Sequence, residues 1–244
     1  MRILKMVLVP DALVDTKDLS VGAKYLRAVA EVKSHASLAE LARLAGVSRS
    51  AALQACHSLT KHGWVALSNT GNSRIAVPCY PDEIERLRIE MLLWEKDMAP
   101  FLGEFLMRKI LDEIVASTSY MDNARPSFLK NPETGQPLEI DRFYREGVGF
   151  EYNGDQHYRP TAKYDQQAVR KQATRDAIKL GLSTKYGITI VTVVDRDLSI
   201  DSMIAKVPSS LSKRHLNRES LYLRKLDEIC QEHAATMENI RRGR

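Results

Sequence analysis

The spacing of apolar residues divides the chain into a helical first part and a later part that mixes strands with helices. Across Leu19 to Val32, apolar side chains at Leu19, Val21, Ala23, Tyr25, Leu26, Ala28 and Val29 suit a helix with one buried face. Ser37 stands at an N-cap position with Glu40 three residues on, which predicts a short helix to about Leu44. The run Ala45-Gly46-Val47 makes a turn, Ser48 is a second N-cap, and a helix follows from Arg49 to about His62, where Gly63 stops it. Two alternating stretches, Trp64 to Leu67 and Arg74 to Val77, flank a polar cluster at 68–73, the pattern of a hairpin.

Beyond Pro78 and Pro81 the pattern changes. A charged amphipathic helix spans Asp82 to Trp94, Pro100 interrupts, and a further helix covers Phe101 to Ser117. The stretch from Asn131 to Pro137 is a turn leading into strands at Leu138 to Tyr144 and Gly147 to Asn153. A polar helix from Gln166 to Leu180, a β-branched strand from Gly187 to Val194 and a short helix from Leu198 to Val207 follow. Last comes a charged helix from Arg218 to Ile240, with Leu221, Leu223, Leu226, Ile229 and Met237 as its apolar positions; its interleaved charges suit a solvated, salt-bridged face, with a dimer helix or a phosphate-tracking arm as the functional alternatives. These boundaries divide the chain at 1–80, 81–100 (a helical connector), 101–207 and 208–244.

The 244 residues suffice for two small domains, and a composition 44% apolar and 27% charged is that of a globular chain. No apolar run reaches membrane-spanning length, and Met1 to Pro10 reads as a strand or arm instead of a signal peptide, so a cytoplasmic location is expected. Cys56, Cys79 and Cys230 lie far apart with no paired spacing, which argues against a disulfide framework or a cysteine-based zinc site. The net charge of +5 permits a nucleic-acid partner without requiring one.

Helix, turn, helix and hairpin, in that order over Ser37 to Val77, resemble the winged-helix domains of bacterial transcription regulators. Gly46 permits the sharp turn, and Leu38, Leu41, Leu44, Val47, Ala52, Leu53 and Leu59 are the expected shared core. The second helix is then left with a face bearing Arg49, Ser50, Gln54, His57 and Lys61, suited to base edges and phosphates in a major groove. Arg74, at the hairpin, would meet the adjacent backbone or minor groove. The same unit also serves as a protein-contact module elsewhere, its basic residues then merely solvated.

In the later part, Val148, Phe150 and Tyr152 alternate to one face of a strand and Gly149, Glu151 and Asn153 to the other. A carboxylate within such a strand is costly unless paired or bound to a cation, and two brought together repel until a divalent ion such as Mg²⁺ relieves them. Asp141 on the preceding strand is the second carboxylate. Gly103-Glu104 opening a helix, Asp141-x-Phe143-Tyr144, the run Phe150 to Tyr158, and Arg175-Asp176, Lys179 and Gly187-Ile188 together resemble the PD-(D/E)xK nuclease superfamily. The closer likeness is to its very-short-patch-repair and homing-endonuclease branch, over about Phe101 to Val194. The resemblance implies an α/β (α+β) chain: a winged helix plus a restriction-endonuclease-like mixed sheet flanked by helices. It further implies Asp141 and Glu151 as the main ligands of Mg²⁺ (or Mn²⁺), Glu104 as the helix carboxylate, Gln156 or His157 at the water or scissile phosphate, and Asp176 as a late acidic residue. Asn153 stands where a lysine would complete the superfamily motif, and Lys163 and Lys179 are the residues that could replace it.

The expected activity is Mg²⁺-dependent hydrolysis of DNA, duplex first, by a homodimer or by sequential nicking. The alternatives are a DNA-binding regulator whose nuclease-like domain does not cut, which the missing lysine motivates, and an RNA-processing nuclease.

Overall fold

The computed structural model describes residues 16–32, 36–70, 73–154 and 166–243. It has mixed helices and sheets, as expected, and separates into two compact units: one reaches to Met91 and includes Arg214–Arg224, the other comprises Leu92–Lys213 and Lys225–Arg244. The expected connector and C-terminal segments are therefore each divided between units, not bodies of their own. Among the described residues no helix is long and apolar enough to cross a membrane.

The first unit opens with α1 (Val21–Val32), α2 (Leu38–Leu44) and α3 (Arg49–Lys61). Ser37 and Ser48 cap α2 and α3 as the sequence predicts, their hydroxyls accepting the Glu40 and Ala51 N–H groups at 3.2 Å. Gly46 takes φ +67° between the two helices, a conformation that suits a residue without Cβ. The strands β1 (Val65–Thr70) and β2 (Ser73–Pro78) pair antiparallel, Val65 opposite Pro78 and Thr70 opposite Ser73, so the ladder runs further into the polar cluster than the apolar pattern indicates. Chain reversal leaves backbone groups to satisfy, and pairing through Asn69 and Arg74 satisfies them.

The core of this unit differs from expectation in detail. Leu41, Ala52 and Leu59 are sealed, but Leu44 and Val47 are each 38% exposed. Their places are taken by Ala42 and Cys56, together with Ala23, Leu26 and Ala30 of α1. Val21 and Tyr25 of α1 are exposed instead of buried. Arg27 is buried at the centre: its Nε donates to the Trp64 carbonyl at 2.7 Å, Nη2 to the Cys79 carbonyl at 2.9 Å, and Nη1 pairs with Glu31. This one guanidinium joins α1 to both ends of the hairpin region.

Helix α4 (Asp82–Met98) runs through the expected connector. The second unit then comprises α5 (Leu102–Ile114), β3 (Tyr120–Ala124), β4 (Ile140–Tyr144), β5 (Val148–Tyr152), α6 (Gln166–Lys185), β6 (Thr189–Val193), a 3₁₀ turn (Asp195–Asp197), α7 (Ile200–Lys206) and most of α8 (Leu221–Arg241). Its sheet has the order β3-β4-β5-β6, antiparallel except for the parallel pair β5 and β6 that α6 connects. Strand β3 has no counterpart in the apolar pattern: Tyr-Met-Asp-Asn-Ala is half polar, and Asn123 sits at φ 52°.

One sheet face packs Tyr144, Val148 and Phe150 with the buried Leu106, Ile110 and Leu111 of α5. On it Arg142, 2% exposed, donates to Asp122 at 2.6 and 3.0 Å, to Asp112 at 3.0 Å and to the Arg108 carbonyl at 3.0 Å. Ile178 and Leu182 of α6 cover the other face beside Ile140, Phe143 and Ile190. All three cysteines are buried free thiols.

Replacing Arg27 by Met leaves two carbonyls without their donor and removes one of the cations on Glu31, which Arg214 also meets at 3.2 Å, and is expected to destabilise the first unit by about 3 kcal/mol. Urea unfolding monitored through Trp64 measures this; a loss under about 1 kcal/mol would show that the buried guanidinium contributes no more than its volume.

Candidate functional site

Two features of the expected chemistry are on view, one in each unit. In the first, every predicted contact residue is exposed: Arg49, Ser50, Gln54, His57 and Lys61 along α3, and Arg74 on β2. Ser50, Gln54, His57 and Lys61 recur at helical spacing and so form one stripe. Arg49 and Arg74 both rim a hollow of about 320 Å³ that is floored by Leu38, Ala39 and Leu53.

In the second unit the predicted acidic residues converge. A cleft of about 710 Å³ is lined by Glu104 from α5, Asp141 from β4, Glu151 from β5, and Asp176 and Lys179 from α6, with His233 and Met237 from α8. Gln156 and His157 lie outside the described residues. The convergence follows from the hairpin. Arg142 pairs with Phe150 and Phe143 with Gly149, and beyond that ladder the Asp141 side chain accepts the Tyr152 N–H, which brings Asp141 beside the end of β5 that carries Glu151.

Each carboxylate has a partner. Asp141 Oδ2 accepts the Tyr152 N–H at 2.7 Å. Glu151, 7% exposed, takes the Lys179 ammonium on Oε2 at 2.6 Å, while its Oε1 is buried with no hydrogen-bond partner among the described residues. Lys179 is thus the lysine that reaches the strand carboxylate, from α6 instead of from two residues after Glu151. It pairs across to β5 in addition to sharing a helix with Asp176. Glu104 is paired with Arg108 one turn along α5, and Arg108 also donates to the Asp141 carbonyl at 2.9 Å. Among the described residues, no three acidic, imidazole or thiol groups gather closely enough to hold a metal ion. The expected trio of Glu104, Asp141 and Glu151 shares the cleft without forming a three-sided shell. Glu139 lines the cleft as well, paired with Arg125 at 2.8 Å.

The electrostatics follow from burial. Burial pushes the Glu151 carboxyl up to about 7; the Lys179 charge opposes this and the Asp141 charge adds to it. Burial likewise raises Asp141, with the Tyr152 N–H, Lys179 and Arg108 pulling down. Burial and the Asp141 charge raise Glu104 against Arg108. Three acids raised together describe a site whose burial outweighs the cations and N–H groups that face it.

Gly103 owes its identity to this geometry. A Cβ there would fall 1.9 Å from the Tyr152 ring, so the ring lies directly against the start of α5. Tyr152 then reaches Asp195, which accepts its hydroxyl, and His233 Nε2 at 3.2 Å. Sequence reasoning found neither Asp195 nor His233, since no local pattern links residues so far apart. The buried Arg142 did leave a signal: a charge between Ile140 and Tyr144 on a buried strand face calls for an acidic partner.

Comparison with known proteins bears on the first unit. Residues 19–67 match the IclR helix-turn-helix domain family, which agrees with the winged helix-turn-helix built by α1 to β2. Over 73 residues the chain is 41% identical to uncharacterized protein 033L of Invertebrate iridescent virus 3, covering 29% of this chain and 38% of that protein. Over 115 residues it is 33% identical to uncharacterized protein 307L of Invertebrate iridescent virus 6, covering 41% of this chain and 58% of that protein. The matches thus span less than two thirds of either relative. No solved structure matches the chain.

The raised Glu151 pKa has a consequence for stability. The folded state keeps a proton that the unfolded chain releases above about pH 4.5, so stability falls as pH rises from there to about 7 and is level beyond. In chelator, Glu151→Gln is expected to be more stable than the parent at pH 8, by up to about 3 kcal/mol, and equal to it at pH 4. Denaturant melts at the two pH values decide this; a gap independent of pH would mean that Glu151 is ionised in the fold at no cost.

Proposed function

We propose that the protein binds DNA through its winged helix and hydrolyses phosphodiester bonds in the cleft of its second unit with the aid of a divalent cation. The family match and the exposed polar stripe on α3 support the DNA-binding half. Hydrolysis rests on one observation: Asp141 and Glu151 line one cleft, with Lys179 on one Glu151 oxygen and, among the described residues, no hydrogen-bond partner on the other.

The donor set fits a hard cation of the Mg²⁺ class, which is commonly held by only one or two protein carboxylates with water and phosphate oxygens completing the shell. Glu151 Oε1 and Asp141 would hold it. When bound, such an ion supplies Lewis-acid stabilisation of charge on the phosphoryl oxygens. The chain's own residues do the rest. Lys179 opposes the burial that favours the protonated form of Glu151 and presents an ammonium to a phosphate; Arg108 restrains Glu104; the Tyr152 N–H fixes the Asp141 carboxylate. The likeness to the PD-(D/E)xK arrangement, with the lysine supplied from a helix, agrees with these roles.

A second possibility has its own support. Lys179 and Arg108 already neutralise two of the carboxylates, no three ligands gather, and the family match concerns a helix-turn-helix alone. These favour a DNA-binding regulator whose cleft holds no metal and cuts nothing.

One set of measurements separates the two. Duplex binding, followed by fluorescence anisotropy, should weaken by tenfold or more in an Arg49→Ala, Lys61→Ala double variant and should fall steeply with salt. Supercoiled plasmid with Mg²⁺ or Mn²⁺ should be nicked or linearised, with Asp141→Asn and Lys179→Ala each lowering the rate at least a hundredfold. Intact plasmid beside normal duplex binding selects the regulator. Absence of duplex binding at low salt defeats both.

A further inference from the structure

A cluster of polar groups lies at the α8 side of the cleft, outside the acidic set. Asp195, 1% exposed in the turn after β6, accepts Arg241 Nη2 at 2.9 Å and the Tyr152 hydroxyl, and lies 3.3 Å from His233 Nε2. Burial alone would raise its pKa, but His233, Tyr152 and Arg241 together hold the carboxyl below its ordinary value. Every member but Tyr152 comes from a segment more than forty residues away.

The cluster converges on one side chain, and that side chain belongs to the residue on which the acidic pair depends. Tyr152 directly follows Glu151, and its N–H binds Asp141 Oδ2 at 2.7 Å. Its ring occupies the space that Gly103 leaves open. The end of β5 is therefore held twice: by the ring against α5 and by the hydroxyl against Asp195 and His233. Two carboxylates that repel one another need such restraint, because a shift of about 1 Å in ligand position costs orders of magnitude in rate.

Resting on the hydrolytic reading above, we propose that Asp195, His233 and Arg241 are positioning residues: through Tyr152 they hold Asp141 and Glu151 in the arrangement that binds the divalent cation. Helix α8 is then part of the functional cleft, not only a solvated, salt-bridged helix. It does not contact the cation; it acts through the tyrosine. Partners of metal-binding groups generally influence affinity or activity by 10- to 100-fold on removal.

The test compares the full chain with its Tyr152→Phe, His233→Ala and His233→Gln variants, by calorimetric titration with Mn²⁺ and by plasmid cleavage. Tyr152→Phe and His233→Ala should weaken Mn²⁺ binding and lower kcat by about 10- to 100-fold, with KM for DNA within about twofold of the parent. The amide of His233→Gln can donate from the position of Nε2, so this variant should recover most of the loss. Tyr152→Phe removes a single oxygen atom and keeps the ring, which preserves a folded comparison if His233→Ala does not fold. Parental Mn²⁺ affinity and kcat in both loss variants overturn the proposal while leaving hydrolysis standing. A parent chain that neither binds Mn²⁺ nor cuts plasmid removes the hydrolytic reading, and this inference with it.

Discussion

The second unit is organised around a carboxylate that the sheet cannot hide without help. Glu151 lies on a strand with a helix packed on each face of its sheet, where an unpaired charge would cost several kcal/mol. Lys179 answers on one oxygen only. The position of α6, the parallel pairing of β6 that α6 makes possible, and the closeness of Asp141 all belong to the same arrangement, since each either approaches Glu151 or adds to its charge. Burial accordingly raises three acids at once. A fold selected only for stability would replace this group by an apolar side chain at little loss; retaining it fits a cleft that handles charge.

The opposite sheet face shows how a buried charge looks when it serves structure alone. Arg142 meets Asp112, Asp122 and a carbonyl, and its guanidinium stacks 4.0 Å from the Tyr120 ring centre. Its donors are met and its charge is balanced by two carboxylates. Arg27 in the first unit has the same character. Glu151 differs in lining a cleft with one oxygen that has no hydrogen-bond partner among the described residues, and this contrast within one molecule is the physical ground for treating it as a site.

Local signals were legible in the sequence and distant ones were not. Ser37 and Ser48 declare their helices because a cap acts over three residues. Asp141 and Glu151 are recognisable as neighbours because a short turn at Gly147 (φ +80°) fixes the register between their strands. Lys179 is one of the two residues that could supply the missing lysine, and its approach to Glu151 required the placement of α6; Lys163 lies outside the described residues. Leu44 and Val47 look like core by spacing but are exposed, while Ala23, Leu26 and Ala30 of α1 join the core, a contribution that the spacing of α2 and α3 alone does not reveal. Strand β3 escaped because its pairing with β4 is stabilised by Asp122 against Arg142, not by an apolar run. Asp195 and His233 join residues 43 and 81 positions from Tyr152, a distance over which periodicity carries no information.

The lysine's displacement from strand to helix matters for the chemistry in a way that its mere presence does not. A lysine two residues after Glu151 would share its strand and have little freedom. From α6, a four-carbon stem brings the ammonium to Oε2 across the space of the cleft, while Oε1 keeps its own direction. One carboxylate therefore offers two distinct sites, one already matched to a single positive charge and one without a hydrogen-bond partner among the described residues. A divalent cation at the second need not displace the ammonium at the first, and the two together bring three positive charges to the acids and to an incoming phosphate. On the hydrolytic proposal, that distribution of charge, more than the number of carboxylates in the cleft, is what would suit the site to a phosphodiester.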